Sequence, residues 1–337
     1  MDYALRLGRR ALGNTAENPP VGCVIVKDER VLGIGWTQQG GRPHAETEAL
    51  AMAGEAARGA TAYVTLEPCA HHGRAPPCAE ALVKGGITRA VIALEDPDPR
   101  VSGGGLAILR NAGLAVELGM GAEAARRDLT GFLHRITRKW PQVILKLAVS
   151  ADGKIAARVG ERTTVTGPES WARVHLLRAQ CDAILIGMET AVVDNPALDC
   201  RLPGLEHRSP NPFVMSRTRG LPPGCRLAGR GAEILRGTIS QTLSELADRK
   251  FNRLLVEGGA RLARSFLEAG VVDEVQLIRS PLFIGPQGVD ALAGLSLEAA
   301  LRQFAIREEE TLGNDVLSVY SLLPSGEGGA RAEGVGG

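Results

Sequence analysis

The sequence predicts an α/β protein built from two domains. Short runs rich in valine, isoleucine and leucine alternate with longer amphipathic segments, which is the pattern of an α/β fold. The alternation continues to about residue 138, is interrupted near Pro141, and then starts again. The 337 residues suffice for two domains of roughly 100–200 residues each. We therefore expect domains at 1–140 and 142–324, followed by a disordered tail at 325–337.

The first domain is expected to be a sheet sandwiched between helices. Its expected strands are 21–27, 30–36, 61–67, 89–95 and 116–118, and Asp28-Glu29 joins the first two as a hairpin. Its expected helices are 2–13, 44–57, one opened by Cys78 and running through Lys84, one through 106–109, and a charged segment at 122–138.

The second domain repeats the alternation with a long interruption. Its expected strands are 143–149, 183–186, 254–256, 275–278 and 316–322. Its expected helices are 169–180, 240–249 and one through Phe266 and Leu267. The stretch 194–231 is rich in proline and glycine, and we expect it to be irregular.

Composition argues against several classes of function. The formal net charge is +1 and aromatic residues make up 4%, so neither a basic surface nor a stacking platform for nucleic acid is expected. The six cysteines are scattered along the chain, which fits a reducing cytoplasm better than a disulfide framework. The N-terminus lacks the apolar core of a signal peptide, and no apolar run approaches about 18 residues. We expect a cytoplasmic protein without a membrane partner.

One short motif and two later cysteines carry the chemistry. His44 and Glu46 lie in Pro-His-Ala-Glu, and Cys69 and Cys78 each follow a proline further along the chain. A histidine and two cysteines are a ligand set for Zn²⁺, and a catalytic zinc keeps its fourth position for water. Zinc makes that water acidic, and a glutamate close to the histidine can move its protons. This combination is typical of zinc-dependent deaminases of nucleobases.

Other interpretations of these four residues remain. Taken singly, His44 would be an ordinary histidine at a helix start, and the two cysteines would be buried thiols. The joint pattern with Glu46 favours a catalytic zinc site. A structural zinc site would require a fourth ligand, for which His71 and His72 are candidates.

The spacing of the cysteines makes the resemblance to known proteins specific. Deaminases of nucleic acids and free nucleosides usually carry Cys-x-x-Cys, whereas eight residues separate Cys69 from Cys78. The segment Cys-Ala-His-His-Gly-Arg-Ala-Pro-Pro-Cys resembles the bifunctional riboflavin-biosynthesis deaminase/reductase (RibD) family. So do Asn-Pro-Pro-Val-Gly-Cys-Val-Ile-Val at 18–26 and Asp-Pro-Asp-Pro-Arg at 96–100. The resemblance covers nearly the whole chain apart from the tail.

The resemblance implies a two-step enzyme on two folds. An N-terminal, three-layer α/β/α domain like cytidine deaminase would use Zn²⁺ to remove an amino group hydrolytically. Its small-molecule substrate would be a phosphorylated pyrimidine, 2,5-diamino-6-(ribosylamino)pyrimidin-4-one 5′-phosphate. A C-terminal α/β domain like dihydrofolate reductase would then use NADPH to reduce the ribosyl side chain to ribityl. The family commonly forms homo-oligomers, so a dimer is expected.

The resemblance also assigns residues in the deaminase half. It implies that His44, Cys69 and Cys78 bind zinc and that Glu46 is the catalytic proton shuttle. Two further groups would contact the substrate: Asn18, and His71 or Arg74 on the loop between the cysteines. Asn18 has an alternative explanation, since it could simply make the turn before Pro19.

In the reductase half, the residues alone show little more than a glycine turn. Gly258-Gly259 follows an apolar strand and precedes a helix, which suits a phosphate but is equally typical of a plain tight turn. The resemblance implies substrate contacts from Arg178, Leu198, Arg201 and Glu257. It implies NADPH contacts from Val149, Thr164, Thr190, Asp194, Ser216, Gly259, Ala260, Arg261, Leu262, Ala263, Arg264 and Ser265.

This sequence departs from the family pattern in the reductase half. Arg162 stands where the family usually has a serine, and Thr164 stands where it has a tryptophan. The stretch from Ser216 to Glu257 is short, and we expect it to lack one strand–helix unit. Two alternatives therefore stay open: a deaminase with a degenerate, non-catalytic reductase domain, and, in another class, a nucleic-acid deaminase. Near-neutral charge argues against the second.

Overall fold

The computed structural model describes residues 1–72 and 76–323. Arg74 and the expected tail at 325–337 lie outside the described residues. The chain divides into two compact units, one of Met1–Gln142 with Ala172–Leu255, the other of Val143–Trp171 with the described part of Val256–Gly337. Among the described residues, no helix has both the length and the apolar character needed to cross a bilayer.

The N-terminal part of the first unit contains five strands and six helices. The strands are β1 (Gly22–Lys27), β2 (Arg30–Trp36), β3 (Thr61–Val64), β4 (Arg89–Ile92) and β5 (Ala115–Leu118). The helices are α1 (Asp2–Arg9), α2 (Ala45–Ala53), α3 (Cys78–Lys84), α4 (Gly104–Asn111), α5 (Ala122–Asp128) and α6 (Thr130–Arg138). The strand order is β2-β1-β3-β4-β5, with β1 antiparallel to both neighbours and the last three strands parallel.

The sheet has helices on both faces because side chains alternate along its strands. On β1, the buried residues Cys23 and Ile25 belong to a core that includes Ala45 and Ala49 of α2. Val24 faces the other way and packs with residues of α1. The expected sandwich of three layers is therefore confirmed for this part of the chain.

Residues 142–323 contain the remaining elements. The strands are β6 (Gln142–Val149), β7 (Lys154–Ala156), β8 (Ala183–Gly187), β9 (Asn211–Met215), β10 (Glu233–Leu235), β11 (Arg253–Glu257), β12 (Glu274–Arg279), β13 (Val289–Asp290), β14 (Phe304–Leu312) and β15 (Asp315–Leu322). The helices are α7 (Pro168–Ala179), α8 (Met188–Asp194), α9 (Arg226–Gly229), α10 (Ile239–Asp248), α11 (Ala260–Glu268) and α12 (Leu297–Leu301).

Each unit has its own run of strands from this region. In the first unit, β9 lies between β8 and β10 and is parallel to both. In the second unit the order is β6-β12-β15-β14, with β12 parallel to β6 and antiparallel to β15. The short strands β7 and β13 pair separately.

Several expectations about single elements are wrong. The stretch 194–231 is not irregular throughout, since β9 lies within it and Phe213 and Val214 are fully buried. Pro212 hides this strand, because a proline within an apolar run argues against a strand. The stretch from Ser216 to Glu257 contains the expected helix, α10, and also a strand, β10, that was not expected.

Candidate active site

The N-terminus of α2 places His44 and Glu46. His44 is the N-cap residue with extended backbone, and Glu46 lies in the first turn with 3% of its surface exposed. The helix approaches β2 closely because β2 has glycines on that face. A Cβ atom added at Gly35 would lie 2.1 Å from the carbonyl oxygen of Ala45.

The two cysteines meet at the start of α3. Cys78 is the first residue of that helix, after the N-cap Pro77, and its backbone N–H donates to Sγ of Cys69 at 3.2 Å. The backbone N–H of Ala79 donates to the carbonyl of Cys69 at 3.3 Å. A helix N-terminus presents unpaired N–H groups and partial positive charge, which stabilises thiolate.

The three ligand atoms are arranged for a metal ion. Nδ1 of His44 lies 3.3 Å from Sγ of Cys78 and 3.7 Å from Sγ of Cys69. All three atoms lie within 4.8 Å of one another, and no other such group occurs among residues 1–72 and 76–323. Tetrahedral zinc with bonds of about 2.0–2.3 Å separates its ligand atoms by roughly 3.5 Å. The cluster therefore fits zinc with three protein ligands.

A metal ion that binds to the cluster must displace a proton from the two cysteines. The Cys78 side chain donates to Cys69, which lowers the pKa of Cys69 to about 4 and raises that of Cys78 far above its usual range. The two thiols thus share one proton. A divalent ion replaces it, because thiolate is the form that binds metal. The hydrogen bond with Cys69 also raises the pKa of His44.

Glu46 is a buried carboxyl group next to this cluster. Burial raises the pKa of Glu46 to about 7. A carboxyl group that titrates near neutrality can both accept and donate a proton, as general acid–base catalysis requires. Its position beside the ligands and its protonation agree with the predicted role.

A cavity of about 750 Å³ opens onto the zinc cluster. Its lining includes Asn18 and His71 beside the ligands, so the structure brings two predicted substrate residues to the site. Nδ1 of His71 is buried and has no hydrogen-bond partner among the described residues. The Nδ2 group of Asn18 donates to the carbonyl of Thr15, a long contact of 3.4 Å. Both groups have capacity left for a ligand.

The acidic groups of the lining have different roles. Glu67 accepts hydrogen bonds from the backbone N–H groups of Asp96, Gly103 and Leu106, which fixes the loop after β4. Asp98 pairs with Arg100, whose side chain lowers the pKa of Asp98. Burial raises the pKa of Asp96 to about 6. Glu67 and Asp98 therefore have structural partners.

Sequence reasoning missed three cations of this cavity, one of which is Arg42, close to His44 in sequence. Arg135 of α6 and Lys250, which follows α10, both line it. Neither belongs to a motif, and Lys250 lies far from the zinc ligands in sequence. No sequence signal marks them.

Three predicted substrate residues of the reductase half cluster in the first unit. Arg178 on α7 is 5% exposed, and its Nη1 donates to the carbonyl of Asp199 at 3.1 Å. Nε of Arg201 lies 3.4 Å from a carboxylate oxygen of the same Asp199. Leu198 is buried and has a left-handed backbone with φ +54. The predicted cofactor residues of this unit lie on α8 (Thr190, Asp194) and directly after β9 (Ser216).

The other predicted reductase residues lie in the second unit. Gly258 and Gly259 have φ +71 and +78, and Gly259 is the N-cap of α11. The side chains of Leu262 and Ala263 are buried, so a cofactor at this helix start would contact backbone N–H groups rather than those side chains. Val149 is buried at the end of β6, Glu257 is buried at the end of β11, and Thr164 is exposed.

Fold and site together define a zinc-dependent deaminase joined to a reductase. The family model described as "Cytidine and deoxycytidylate deaminase zinc-binding region" matches residues 1–94, and the model described as "RibD C-terminal domain" matches residues 141–318. The chain belongs to the RibD family of bifunctional deaminase/reductases of riboflavin biosynthesis, with zinc and NADPH as cofactors. The expected cytidine-deaminase-like and dihydrofolate-reductase-like folds are confirmed.

The relatives are similar over nearly their full length. The riboflavin biosynthesis protein RibD of Escherichia coli is 37% identical over 94% of this chain and 96% of its own. The corresponding protein of Aquifex aeolicus is 35% identical over 95% of this chain and 97% of its own. The structure of Acinetobacter baumannii RibD (form 1) superposes with a TM-score of 0.87 at 35% identity, covering 96% of this chain and 98% of that one.

Proposed function

We propose that the deaminase half hydrolyses 2,5-diamino-6-(ribosylamino)pyrimidin-4-one 5′-phosphate, consuming water and releasing ammonia. A solved relative from Thermotoga maritima, 32% identical, is described as a diaminohydroxyphosphoribosylaminopyrimidine deaminase and 5-amino-6-(5-phosphoribosylamino)uracil reductase. The observation that carries the proposal is the His44, Cys69 and Cys78 cluster with buried Glu46 beside it. The two cysteines and the histidine hold zinc, which supplies Lewis-acid activation of water when bound.

Glu46 moves the protons of this reaction. It accepts a proton from the attacking water and delivers protons to the ring nitrogen and the departing amine. Its burial favours this role, because the same site raises the pKa of Glu46 to about 7. Asn18 and His71 contact the pyrimidine through polar groups that the protein leaves available. The resemblance to the family adds Arg74, which lies between the two cysteines in sequence, to the proposed substrate contacts.

The reductase half reduces the ribosyl group of the deaminated product. Arg178 and Arg201 bind its phosphate, since arginines recognise phosphate through paired N–H groups. The resemblance to the family adds Leu198 and Glu257 to the proposed substrate contacts. Leu198 has φ +54, a left-handed backbone that is strained for leucine, and strain of this kind concentrates at functional sites.

NADPH supplies the hydride for this step. The Gly258-Gly259 turn and the start of α11 hold a cofactor phosphate by backbone N–H groups. The proposed NADPH contacts in that helix are Ala260, Arg261, Leu262, Ala263, Arg264 and Ser265. The other proposed NADPH contacts are Val149, Thr164, Thr190, Asp194 and Ser216. Thr164 leaves the nicotinamide without the family's usual tryptophan, and Arg162 leaves the substrate without the family's usual serine.

Functional domains, assembly and location complete the proposal. The domains are 1–140 for deamination and 142–324 for reduction, in line with the two matched family models. The enzyme acts on small molecules as a homodimer in the cytoplasm. None of the six cysteines forms a disulfide in the described residues, and this is the state that a reducing compartment maintains.

Two substitutions test the deaminase. Glu46→Gln should retain one zinc per chain but release ammonia at least about 100-fold more slowly, because the proton shuttle is lost. Cys78→Ser should lose zinc and activity together. Metal analysis and ammonia release measure both. The controls are Glu48→Gln on the same helix and Cys225→Ser at the N-cap of α9, which should behave like wild type. Full activity in Glu46→Gln would refute the mechanism.

A further inference from the structure

The deaminase cavity is larger than a pyrimidine ring requires. Its volume of about 750 Å³ lies in the range of pockets that enclose a whole ligand of drug size, roughly 300–1,000 Å³. A substrate with a ribose 5-phosphate would place its ring at the zinc cluster and its phosphate elsewhere in the same cavity. The phosphate carries up to two negative charges and needs cationic partners.

Three of the cationic side chains that line the cavity lie near Glu17. Four cationic side chains line the cavity: Arg42, Arg100, Arg135 and Lys250. Arg42 lies close enough to His44 for their charges to interact, so it belongs to the zinc end. The other three lie near Glu17: Arg135 donates to its carbonyl oxygen, Lys250 contacts its carboxylate, and Arg100 is close enough for their charges to interact.

These three cations differ in how firmly they are held. Arg100 is bound by the carboxylate of Asp98 through contacts of 3.0 and 3.1 Å from its Nε. Arg135 donates to Oδ1 of Asn252 at 2.7 Å and to the carbonyl of Glu17 at 2.6 Å. Lys250 makes a longer contact of 3.4 Å with the carboxylate of Glu17, and the two side chains are 61% and 47% exposed, respectively. Lys250 is therefore the cation best able to exchange its partner.

The backbone conformation of Lys250 affects how a substitution at this position must be tested. Helix α10 ends in a Schellman motif, in which the N–H of Phe251 donates to the carbonyl of Leu246 and that of Lys250 to the carbonyl of Ala247. Lys250 occupies the left-handed position of this motif with φ +67. Glycine is the residue that suits this position, and a lysine there is strained. Substituting Lys250 by glycine therefore changes both the charge and the backbone strain, and the two effects need separate measurements.

We propose that the Lys250 ammonium binds the phosphate group of the substrate during deamination. The inference rests on the proposed phosphorylated pyrimidine. It means that the segment matched by the RibD C-terminal domain model completes the deaminase cavity, within the same compact unit as the zinc cluster. Before substrate binds, Glu17 holds the ammonium. The phosphate replaces Glu17, whose half-exposed carboxylate turns to solvent.

Kinetics of the full-length, zinc-loaded enzyme test this role. Lys250→Gly should raise KM for the phosphorylated pyrimidine about 10–100-fold with little change in kcat, since one charge-assisted contact is lost. For the dephosphorylated pyrimidine, KM should not change. Lys250→Arg should restore most of the affinity, and Glu17→Gln should lower KM, because a competing anion is removed.

Stability provides a readout that separates this role from a structural one. Lys250→Gly should raise Tm slightly, because glycine relieves the left-handed strain. Lys139 is a matched control: it is an exposed lysine at the C-cap of α6 with φ +59, and it is not part of the cavity lining. Lys139→Gly should raise Tm in the same way and leave KM unchanged.

The outcomes are distinguishable. If wild type deaminates both pyrimidines but Lys250→Gly changes neither KM, or changes both equally, the role of Lys250 is wrong while the proposed function stands. If wild type deaminates neither, the proposed function itself is wrong, and the role of Lys250 falls with it.

Discussion

At the scale of single residues, Asp152 shows how one carboxylate fixes a loop of the second unit. One of its oxygens accepts from the hydroxyl of Ser150 at 2.7 Å and the N–H of Ile284 at 3.1 Å, and the other from the N–H of Gly285 at 2.8 Å. Desolvation raises the pKa of Asp152, but these donors outweigh it and lower the pKa to about 2. The turn after β6 is thereby tied to residues 284–285.

This pKa predicts a specific dependence of stability on pH. The carboxylate has a lower pKa in the folded state than in the unfolded state, where it is about 4. It therefore stabilises the fold above pH 4, and this contribution is lost as the pH falls through about 2. Asp152→Asn should lower Tm at neutral pH and flatten the decline of Tm between about pH 4 and 2. Asp248→Asn, at an exposed helix end, should keep the wild-type profile. An unchanged profile in Asp152→Asn would contradict this account.

The residues of the zinc site could be predicted from sequence, whereas Arg135 and Lys250, which line the same cavity, could not. His44, Glu46, Cys69 and Cys78 each belong to a short motif whose chemistry is specific. Lys250 reaches the cavity only because α10 ends beside it, and that is a tertiary fact. A lone lysine after a helix does not indicate a function until it is known what the helix packs against.

At the scale of elements, the zinc site depends on how closely α2 packs on β2. Gly33 and Gly35 of β2 would place a Cβ atom 2.1 Å from the carbonyl oxygens of Ala49 and Ala45, respectively. The helix therefore touches the strand backbone directly, and its first turn carries Glu46, with His44 as its N-cap. Any side chain on this face of β2 must move the helix and the zinc ligand with it.

Gly35→Ala tests this contact. The methyl group should displace α2, lower the free energy of unfolding by about 3 kcal/mol and weaken zinc binding, because overpacking of this kind costs roughly 1–3 kcal/mol or more. Chemical denaturation and metal titration measure the two effects. Gly229→Ala is the control, since a Cβ there meets no atom within 4 Å. Wild-type zinc affinity in Gly35→Ala would show that the contact does not position His44.

Elements with clear periodicity were predicted well, and short or proline-bearing ones were not. Strand β2 has the predicted bounds, Arg30–Trp36, because its β-rich sequence and the turn at Asp28-Glu29 before it both indicate the same start. The segment 122–138 forms two helices, and the helix expected at 44–57 ends at Ala53 with a separate short turn at Gly54–Ala57. Strand β14 was missed, because most of its residues are exposed and charged.

At the scale of the whole molecule, the two activities should depend on different groups. The three proposed zinc ligands lie in the N-terminal part, and none of the predicted reductase residues is among them. Treatment with a chelator should therefore abolish ammonia release while reduction of the deaminated intermediate by NADPH continues. Added Zn²⁺ should restore deamination. Parallel loss of both activities would mean that zinc maintains the structure of both halves.

The most direct test follows ammonia and NADPH together in one reaction. The full-length enzyme receives zinc, the diaminopyrimidine phosphate and NADPH, and both ammonia release and the absorbance of NADPH are recorded. We expect one NADPH to be oxidised for each ammonia released. The Glu46→Gln variant should neither release ammonia nor oxidise NADPH under these conditions. It should oxidise NADPH once the deaminated intermediate is supplied. Ammonia release without NADPH oxidation would contradict the account and leave a deaminase with a non-catalytic second domain.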